Sequence, residues 1–163
     1  MSLKVNEIYF SIQGESTHTG RPCIFIRLTY CNLRCTYCDT EYAFYEGKDM
    51  HIPDIINEIK KWKCNLIEIT GGEPLMQKEC IDLLHKLIDS NYEVMLETSG
   101  SLPLSKVPGK VIKIIDFKCP SSGMEKHNLW SIVEDLRDHD EIKFVIGNRD
   151  LSEASWEYAG VGD

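Results

Sequence analysis

Alternation of β-rich runs with helix-spaced runs constrains this chain more than any other feature. Cys23–Tyr30 (CIFIRLTY) is rich in β-formers and reads as a strand. Asp54–Trp62 places Ile55, Ile56, Ile59 and Trp62 on one helical face, with Pro53 in the first turn where its missing N–H costs least. Leu66–Thr70 is a short strand that ends in Gly71-Gly72, and Gln77–Ser90 carries Ile81, Leu84, Leu87 and Ile88 at helical spacing. Tyr92–Glu97 and Val111–Phe117 are further strands. Leu129–Leu136 has Leu129, Ile132, Val133 and Leu136 on one helical face, and Glu141–Ile146 returns as a strand. With an N-terminal strand around Val5–Phe10, the count is five core strands plus one. Such alternation predicts an α/β fold, a parallel sheet with crossover helices. Thr98–Lys110 is too short and too rich in Pro and Gly for a crossover helix, so the winding is irregular. Residues 1–150 form one core domain, and the tail 151–163 offers only a weak pattern.

In parallel α/β sheets, ligands gather beyond the carboxyl ends of the strands. Cys31–Cys38 follows the first core strand, Gly71–Pro74 the second, Thr98–Gly100 the third and Lys118–Pro120 the fourth. The four motifs are expected to meet at one edge of one sheet.

Composition narrows the partners. At 163 residues the chain suits one domain, and 42% hydrophobic with 27% charged residues is ordinary for a globular protein in water. No apolar run reaches the roughly 18–20 residues of a membrane span, and the N-terminus lacks a signal-peptide layout, so a cytoplasmic location is expected. The net charge is −8 with no block of lysine or arginine, which disfavours a phosphate-tracking nucleic-acid surface. A small-molecule partner fits better. Three of the seven cysteines, Cys31, Cys35 and Cys38, are clustered, which suits a metal centre in a reducing compartment better than a disulfide framework.

Their spacing is C-x₃-C-x₂-C. Four thiolates complete a [4Fe–4S] cube, so three leave one iron open to a substrate or cofactor. Structural zinc is an alternative, although it wants a fourth ligand at finger spacing and the next histidine is His51. Simple burial of three thiols is another. In Gly71-Gly72-Glu73-Pro74 two glycines allow close backbone approach to a ligand, and Glu73 is an acceptor suited to an ammonium. The same four residues could be a turn before a helix. Arg27 could be a strand arginine paired with a surface acid, Thr40 a cap, and Gln13-Gly14-Glu15 a turn. Asp116 and Lys118 read equally as a strand-end ion pair or a cofactor contact. Cys23, Cys64, Cys80 and Cys119 read as small buried hydrophobes, Cys119 at the active edge, and Trp62 and Trp130 as core residues.

The cysteine spacing with Tyr37 before the last cysteine, together with GGEP, resembles the radical S-adenosylmethionine (SAM) superfamily. Asn6–Ser16 (NEIYFSIQGES), Gly20-Arg21-Pro22, Phe25-Ile26-Arg27, Cys38-Asp39-Thr40 and Glu97-Thr98-Ser99-Gly100 are similar to the 7-carboxy-7-deazaguanine synthase family, from about residue 4 to 150. The resemblance implies a partial parallel (β/α) barrel of the radical SAM type, compact and truncated at its C-terminal end. Members usually continue well beyond this length, with a segment that closes over the substrate, and Ser152–Asp163 matches nothing of it.

The implied activity is a radical ring contraction, in which 6-carboxy-5,6,7,8-tetrahydropterin loses ammonia to give 7-carboxy-7-deazaguanine, a precursor of queuosine and archaeosine. The implied cofactors are a [4Fe–4S] cluster on Cys31, Cys35 and Cys38, SAM, and Mg²⁺ on Thr40. Tyr37, Cys38, Asp39, Gly72, Glu73, Gly100 and Lys118 would hold SAM. Ile12, Gln13, Gly14, Arg27 and Thr98 would hold the pterin, with Arg27 on its carboxylate. A flavodoxin- or ferredoxin-type reductant and a homodimer are implied as partners. The activating enzyme of anaerobic ribonucleotide reductase shares the cysteine spacing and a GGEP-like motif and is the alternative enzyme. An iron–sulfur electron carrier is the non-enzymatic alternative, although a carrier has no need of GGEP or a pterin-binding arginine.

Overall fold

The computed structural model describes residues 2–147 and 150, so the tail 151–163 lies outside the described residues. Seven strands form one sheet: β1 (Ser2–Ile12), β2 (Pro22–Leu28), β3 (Lys48–His51), β4 (Leu66–Gly71), β5 (Glu93–Thr98), β6 (Ile112–Phe117) and β7 (Glu141–Phe144). Their order is β3-β1-β2-β4-β5-β6-β7. The five expected core strands, β2 and β4 to β7, run parallel, and β1 pairs antiparallel with both β2 and β3. The sheet is open among the described residues, as a partial barrel requires.

One face of the sheet is the main core. Ile24, Ile26, Leu28, Ile67, Ile69, Val94 and Leu96 meet the helices α1 (Ile52–Ile59) and α2 (Cys80–Asp89) there. Ile55, Ile56 and Ile59 of α1 are buried as the helical spacing predicts, with Pro53 in the first turn. Each fully buried Ile or Leu contributes roughly 1.5–3 kcal/mol by leaving water. In α2 the buried face is Cys80, Leu83, Leu84 and Leu87, with Ile81 and Ile88 only partly covered. That face is centred between Leu83, Leu84 and Leu87, turned slightly from the expected one.

Three further elements depart from the sequence reading. Strand β3 was not expected, since KDMH has no alternation; it is a short edge strand defined by its pairing with Ser2–Val5. Leu129–Leu136 is not an α-helix. It holds a 3₁₀ segment, Trp130–Asp135, in which Ile132 is buried but Val133 faces solvent. Trp130 is 49% exposed and lies against Phe117 with ring centroids 4.5 Å apart, so it caps the core rather than filling it. As expected, the β5–β6 connection carries no helix.

Alternate residues of the parallel strands point to the opposite face. Its lower part is apolar, with Cys23, Phe25, Leu66, Met95 and Ile114 packed together. Towards the carboxyl ends the same register gives Arg27, Thr70, Glu97, Asp116 and Lys143, all of which line a cavity. The sheet therefore has one apolar face and one that turns polar at the edge where the four motifs emerge.

Candidate functional site

The cavity holds about 500 Å³ and opens at the carboxyl edge of the sheet. That volume is within the roughly 300–1,000 Å³ of small-molecule sites. Cys31, Cys35 and Cys38 border it from the loop that follows β2, and all three are free, partly buried thiols.

This loop is fastened to the end of each neighbouring parallel strand. The N–H of Gly72 donates to Leu28 O at 3.3 Å and that of Glu73 to Tyr30 O at 2.7 Å, bracing the entry to the cysteines from β4. From β5, Ser101 Oγ accepts from Asn32 Nδ2 at 3.0 Å. From β6, the carbonyls of Ser122 and Ser121 accept from Thr36 N at 3.0 Å and Thr36 Oγ1 at 2.6 Å. Beyond β7, Val145 O accepts from the Tyr37 hydroxyl at 3.1 Å. Burial first, then the negative charge of Asp116, pushes that phenol up to about 12, so it remains a donor.

The donor set fits an iron–sulfur cluster. Three thiols share one cavity, and Gly72 leaves the space beside them clear: a Cβ there would stand 2.6 Å from Cys31 Cβ. Among the described residues no three Cys, His, Asp or Glu side chains converge on a single-ion site. Burial raises the thiol pKa of Cys31 and of Cys35, Lys118 opposing the rise at Cys35, so cluster assembly there displaces protons. Asp39 and Thr40 border the same cavity, with Thr40 Oγ1 3.8 Å from Cys38 Sγ.

The structure brings together every residue expected at the site except two. Glu73 does not line the cavity. Its carboxylate is fully buried and accepts from Leu75 N (3.0 Å), Thr98 Oγ1 (2.8 Å), Ser99 N (2.8 Å) and Ser99 Oγ (2.6 Å). With its acceptors so occupied, Glu73 joins the β4 and β5 loops rather than offering itself to an ammonium. Gly100 also lies off the cavity. It adopts φ +67°, and a Cβ would stand 2.8 Å from both Ile115 and Phe117, so glycine serves the turn beneath the site. Thr98 borders the cavity, but its hydroxyl is engaged by Glu73.

On the other side, Ile12, Gln13 and Gly14 form the rim where β1 turns towards β2. Gln13 N donates to Arg21 O and Gln13 O accepts from Gly20 N, each at 2.8 Å. Its backbone is thus taken, and the side-chain amide is what it can present. Arg27 Nε donates to Glu7 at 2.8 Å and its Nη2 to the Tyr9 hydroxyl at 3.1 Å, which leaves further donors of the fork. Lys118 is ion-paired with Asp116 at 3.0 Å, and the second oxygen of Asp116 is buried with no hydrogen-bond partner. A buried carboxylate oxygen of this kind fits a site that takes a polar ligand.

Sequence reasoning missed Glu68 and Lys143, and took Glu97 only as the first residue of the motif Glu97–Gly100, with no role of its own. Lys143 bridges Glu97 and Glu15 and lies 3.6 Å from Asp116. Burial alone would lower its pKa, but the carboxylates around it outweigh that and hold it charged. The signal was present: a charged residue within an apolar strand, repeated on neighbouring strands in the phase of Arg27 and Thr70.

An open α/β sheet whose first core strand delivers three thiols to a cavity at its carboxyl edge defines a radical SAM protein, and the radical SAM superfamily pattern matches residues 25–119. A 7-carboxy-7-deazaguanine synthase of Koribacter versatilis is 48% identical over 159 residues, 96% of this chain and 69% of that protein. Synthases of the same name from Chlorobaculum tepidum and Methanospirillum hungatei are 46% and 42% identical, over 77% and 91% of this chain and 57% and 63% of theirs. The chain belongs to the 7-carboxy-7-deazaguanine synthase family. It spans 57–69% of the length of these three relatives. The crystal structure of QueE from Escherichia coli shares the fold, with a TM-score of 0.81 at 24% identity over 99% of this chain and 80% of that one. Family membership implies a [4Fe–4S] cluster and SAM. These relatives give no support to a ribonucleotide reductase activator or an electron carrier.

Proposed function

We propose that the chain carries out the conversion of 6-carboxy-5,6,7,8-tetrahydropterin to 7-carboxy-7-deazaguanine with loss of ammonia. One observation carries this reading: the three-thiol loop and the side chains expected to hold a pterin acid border a single cavity. When bound, the cluster and SAM supply a radical able to remove a hydrogen atom from the substrate.

The chain's residues bind and orient. Arg27, backed by Glu7 and Tyr9, takes the substrate carboxylate, the task for which a planar guanidinium is suited. The Gln13 amide reads the donor and acceptor edge of the pterin ring, with Ile12 and Gly14 beside it. Thr98 contributes contact at the β5 edge, and its hydroxyl orientation is fixed by Glu73. Cys31, Cys35 and Cys38 hold the cluster. Tyr37, Asp39, Gly72 and Lys118 border SAM, with Glu73 and Gly100 shaping the loops behind it. The Thr40 hydroxyl is a ligand for Mg²⁺, whose remaining positions would be filled by waters and substrate oxygens. A flavodoxin- or ferredoxin-type protein as electron donor, a pair of chains as the working assembly and a cytoplasmic location complete the proposal. No helix among the described residues is long and apolar enough to cross a membrane.

Replacing Arg27 by alanine tests the substrate half of the site. Loss of a charge-assisted contact worth about 1.5–3 kcal/mol is expected to raise the pterin KM about ten- to a hundredfold. Iron content and SAM binding stay as in the parent. An unchanged KM would remove Arg27 from this role.

A further inference from the structure

Glu68 and Glu97 stand on adjacent parallel strands and line the same cavity wall. Their charges are handled differently. Glu97 accepts from Lys143 and, at 3.1 Å, from Thr70 Oγ1. Glu68 is almost wholly buried, and among the described residues no lysine or arginine pairs with it. The Gln13 amide donates to it, and its charge is coupled to that of Glu97 beside it.

A hydrogen bond between two carboxyls requires a proton on one of them. Burial first, then the charge of Glu97, pushes Glu68 up to about 8. Burial also acts to raise Glu97, but Lys143 and Thr70 outweigh it and leave Glu97 below the ordinary range. With Lys143 and Thr70 serving Glu97, and no lysine or arginine paired with Glu68 among the described residues, Glu68 is the carboxyl expected to hold the proton. Tyr9 from β1, Cys23 and Arg27 from β2, Asp116 from β6, Lys118 just beyond it, Lys143 from β7 and Glu15 from the rim are the other titratable groups facing this pair.

We propose that Glu68 is the positioning residue for the substrate-reading amide of Gln13, acting as the proton-bearing half of a carboxylic acid–carboxylate pair with Glu97. This rests on the pterin reading of the cavity. The Glu68 carbonyl accepts from Gln13 Nε2, and its hydroxyl donates to Glu97. At the other end of the amide, Gln13 Oε1 accepts from Glu15 N at 3.1 Å. Both ends of the amide are thereby assigned, leaving one N–H and one lone pair in fixed order for a ring edge. Deprotonation of Glu68 breaks its bond to Glu97 and sets two carboxylates against each other; Glu68 still accepts from Gln13, but the repulsion displaces Glu68 and with it the amide it holds.

Glu68→Gln separates this from a bland structural role, because glutamine can accept from Gln13, donate to Glu97 and never ionise. In the reconstituted parent enzyme, the pterin KM is expected to rise about tenfold one pH unit above the Glu68 pKa. Glu68→Gln keeps the parent's neutral-pH KM and holds it into the alkaline range, whereas Glu68→Ala raises KM at every pH. Stability gives a second readout that needs no cofactor. Between the ordinary carboxyl value of 4.5 and about 8, the folded state holds a proton that the unfolded state has lost. Stability of the parent must therefore fall as pH rises through that window, and Glu68→Gln must lack that component of the slope.

The infrared carbonyl band of a protonated carboxyl, present at neutral pH and absent in Glu68→Gln, locates the proton directly. A raised neutral-pH KM in Glu68→Gln, an alkaline rise equal to the parent's, or no such band in the parent overturns the proposal. If the parent turns over no pterin at any pH, the functional reading fails and Gln13's role with it. The infrared band and the stability slope then still decide whether the proton-sharing pair exists.

Discussion

Replacement of Cys35 by alanine is expected to abolish SAM cleavage while leaving the fold intact. Cys35 sits midway along a loop held by Gly72 and Glu73 at its start and by Ser121, Ser122 and Val145 further on. None of those fastenings passes through its side chain, so alanine removes a cluster ligand and little else. With two thiolates left, the cube lacks the coordination that keeps it in the protein. Iron and sulfide per chain after anaerobic reconstitution should collapse, and no 5′-deoxyadenosine should form, while circular dichroism and the melting temperature stay near the parent's. Full SAM cleavage by Cys35→Ala would sink the cluster assignment.

Gly72→Ala is expected to damage the same centre from the opposite side. A Cβ at this position would lie 2.6 Å from Cys31 Cβ and 2.8 Å from the Tyr30 carbonyl carbon, both closer than real Cβ contacts allow. The neighbours are backbone and the first atom of a ligand side chain, so no flexible group can swing aside. Either β4 retreats or the cysteine loop does, at about 1–3 kcal/mol, the usual cost of overpacking. Denaturant unfolding should show that loss, and iron content should fall with it because Cys31 is displaced. A variant as stable as the parent and fully loaded would mean that the loop has slack which its hydrogen bonds do not suggest.

Much of this was legible in the residues because the parallel strands β2, β4, β5 and β6 are largely buried on both faces and so read as near-continuous apolar runs. The runs CIFIRL, LIEIT and IKIIDF each stop where a glycine, cysteine or lysine motif begins, and that junction places the site before any contact is known. What could not be read depends on tertiary context. Strand β3 is defined by its pairing with β1, and its own residues carry no alternation. Trp130–Asp135 has helical spacing, yet only Ile132 finds a core to bury in, and the segment winds as a 3₁₀ helix.

Glu73 illustrates a subtler limit. Its type and position suggested an acceptor for a ligand, but the hydroxyls of Thr98 and Ser99 arrive from the next strand and occupy it first. Conversely, Glu68 and Lys143 passed as ordinary strand residues, and Glu97 as a motif residue without a role. Their shared phase with Arg27 is meaningful only once the register of β2, β4, β5 and β7 is known.

One cavity is expected to unite a radical-generating cluster with a pterin acid. The most direct test is anaerobic: reconstitute the cluster, reduce it, add SAM, Mg²⁺ and 6-carboxy-5,6,7,8-tetrahydropterin, and identify products by mass spectrometry. The account predicts 7-carboxy-7-deazaguanine and one ammonia for each pterin consumed. Formation of 5′-deoxyadenosine without that product would contradict the substrate assignment, and absence of both with a reduced, intact cluster would contradict the SAM site itself.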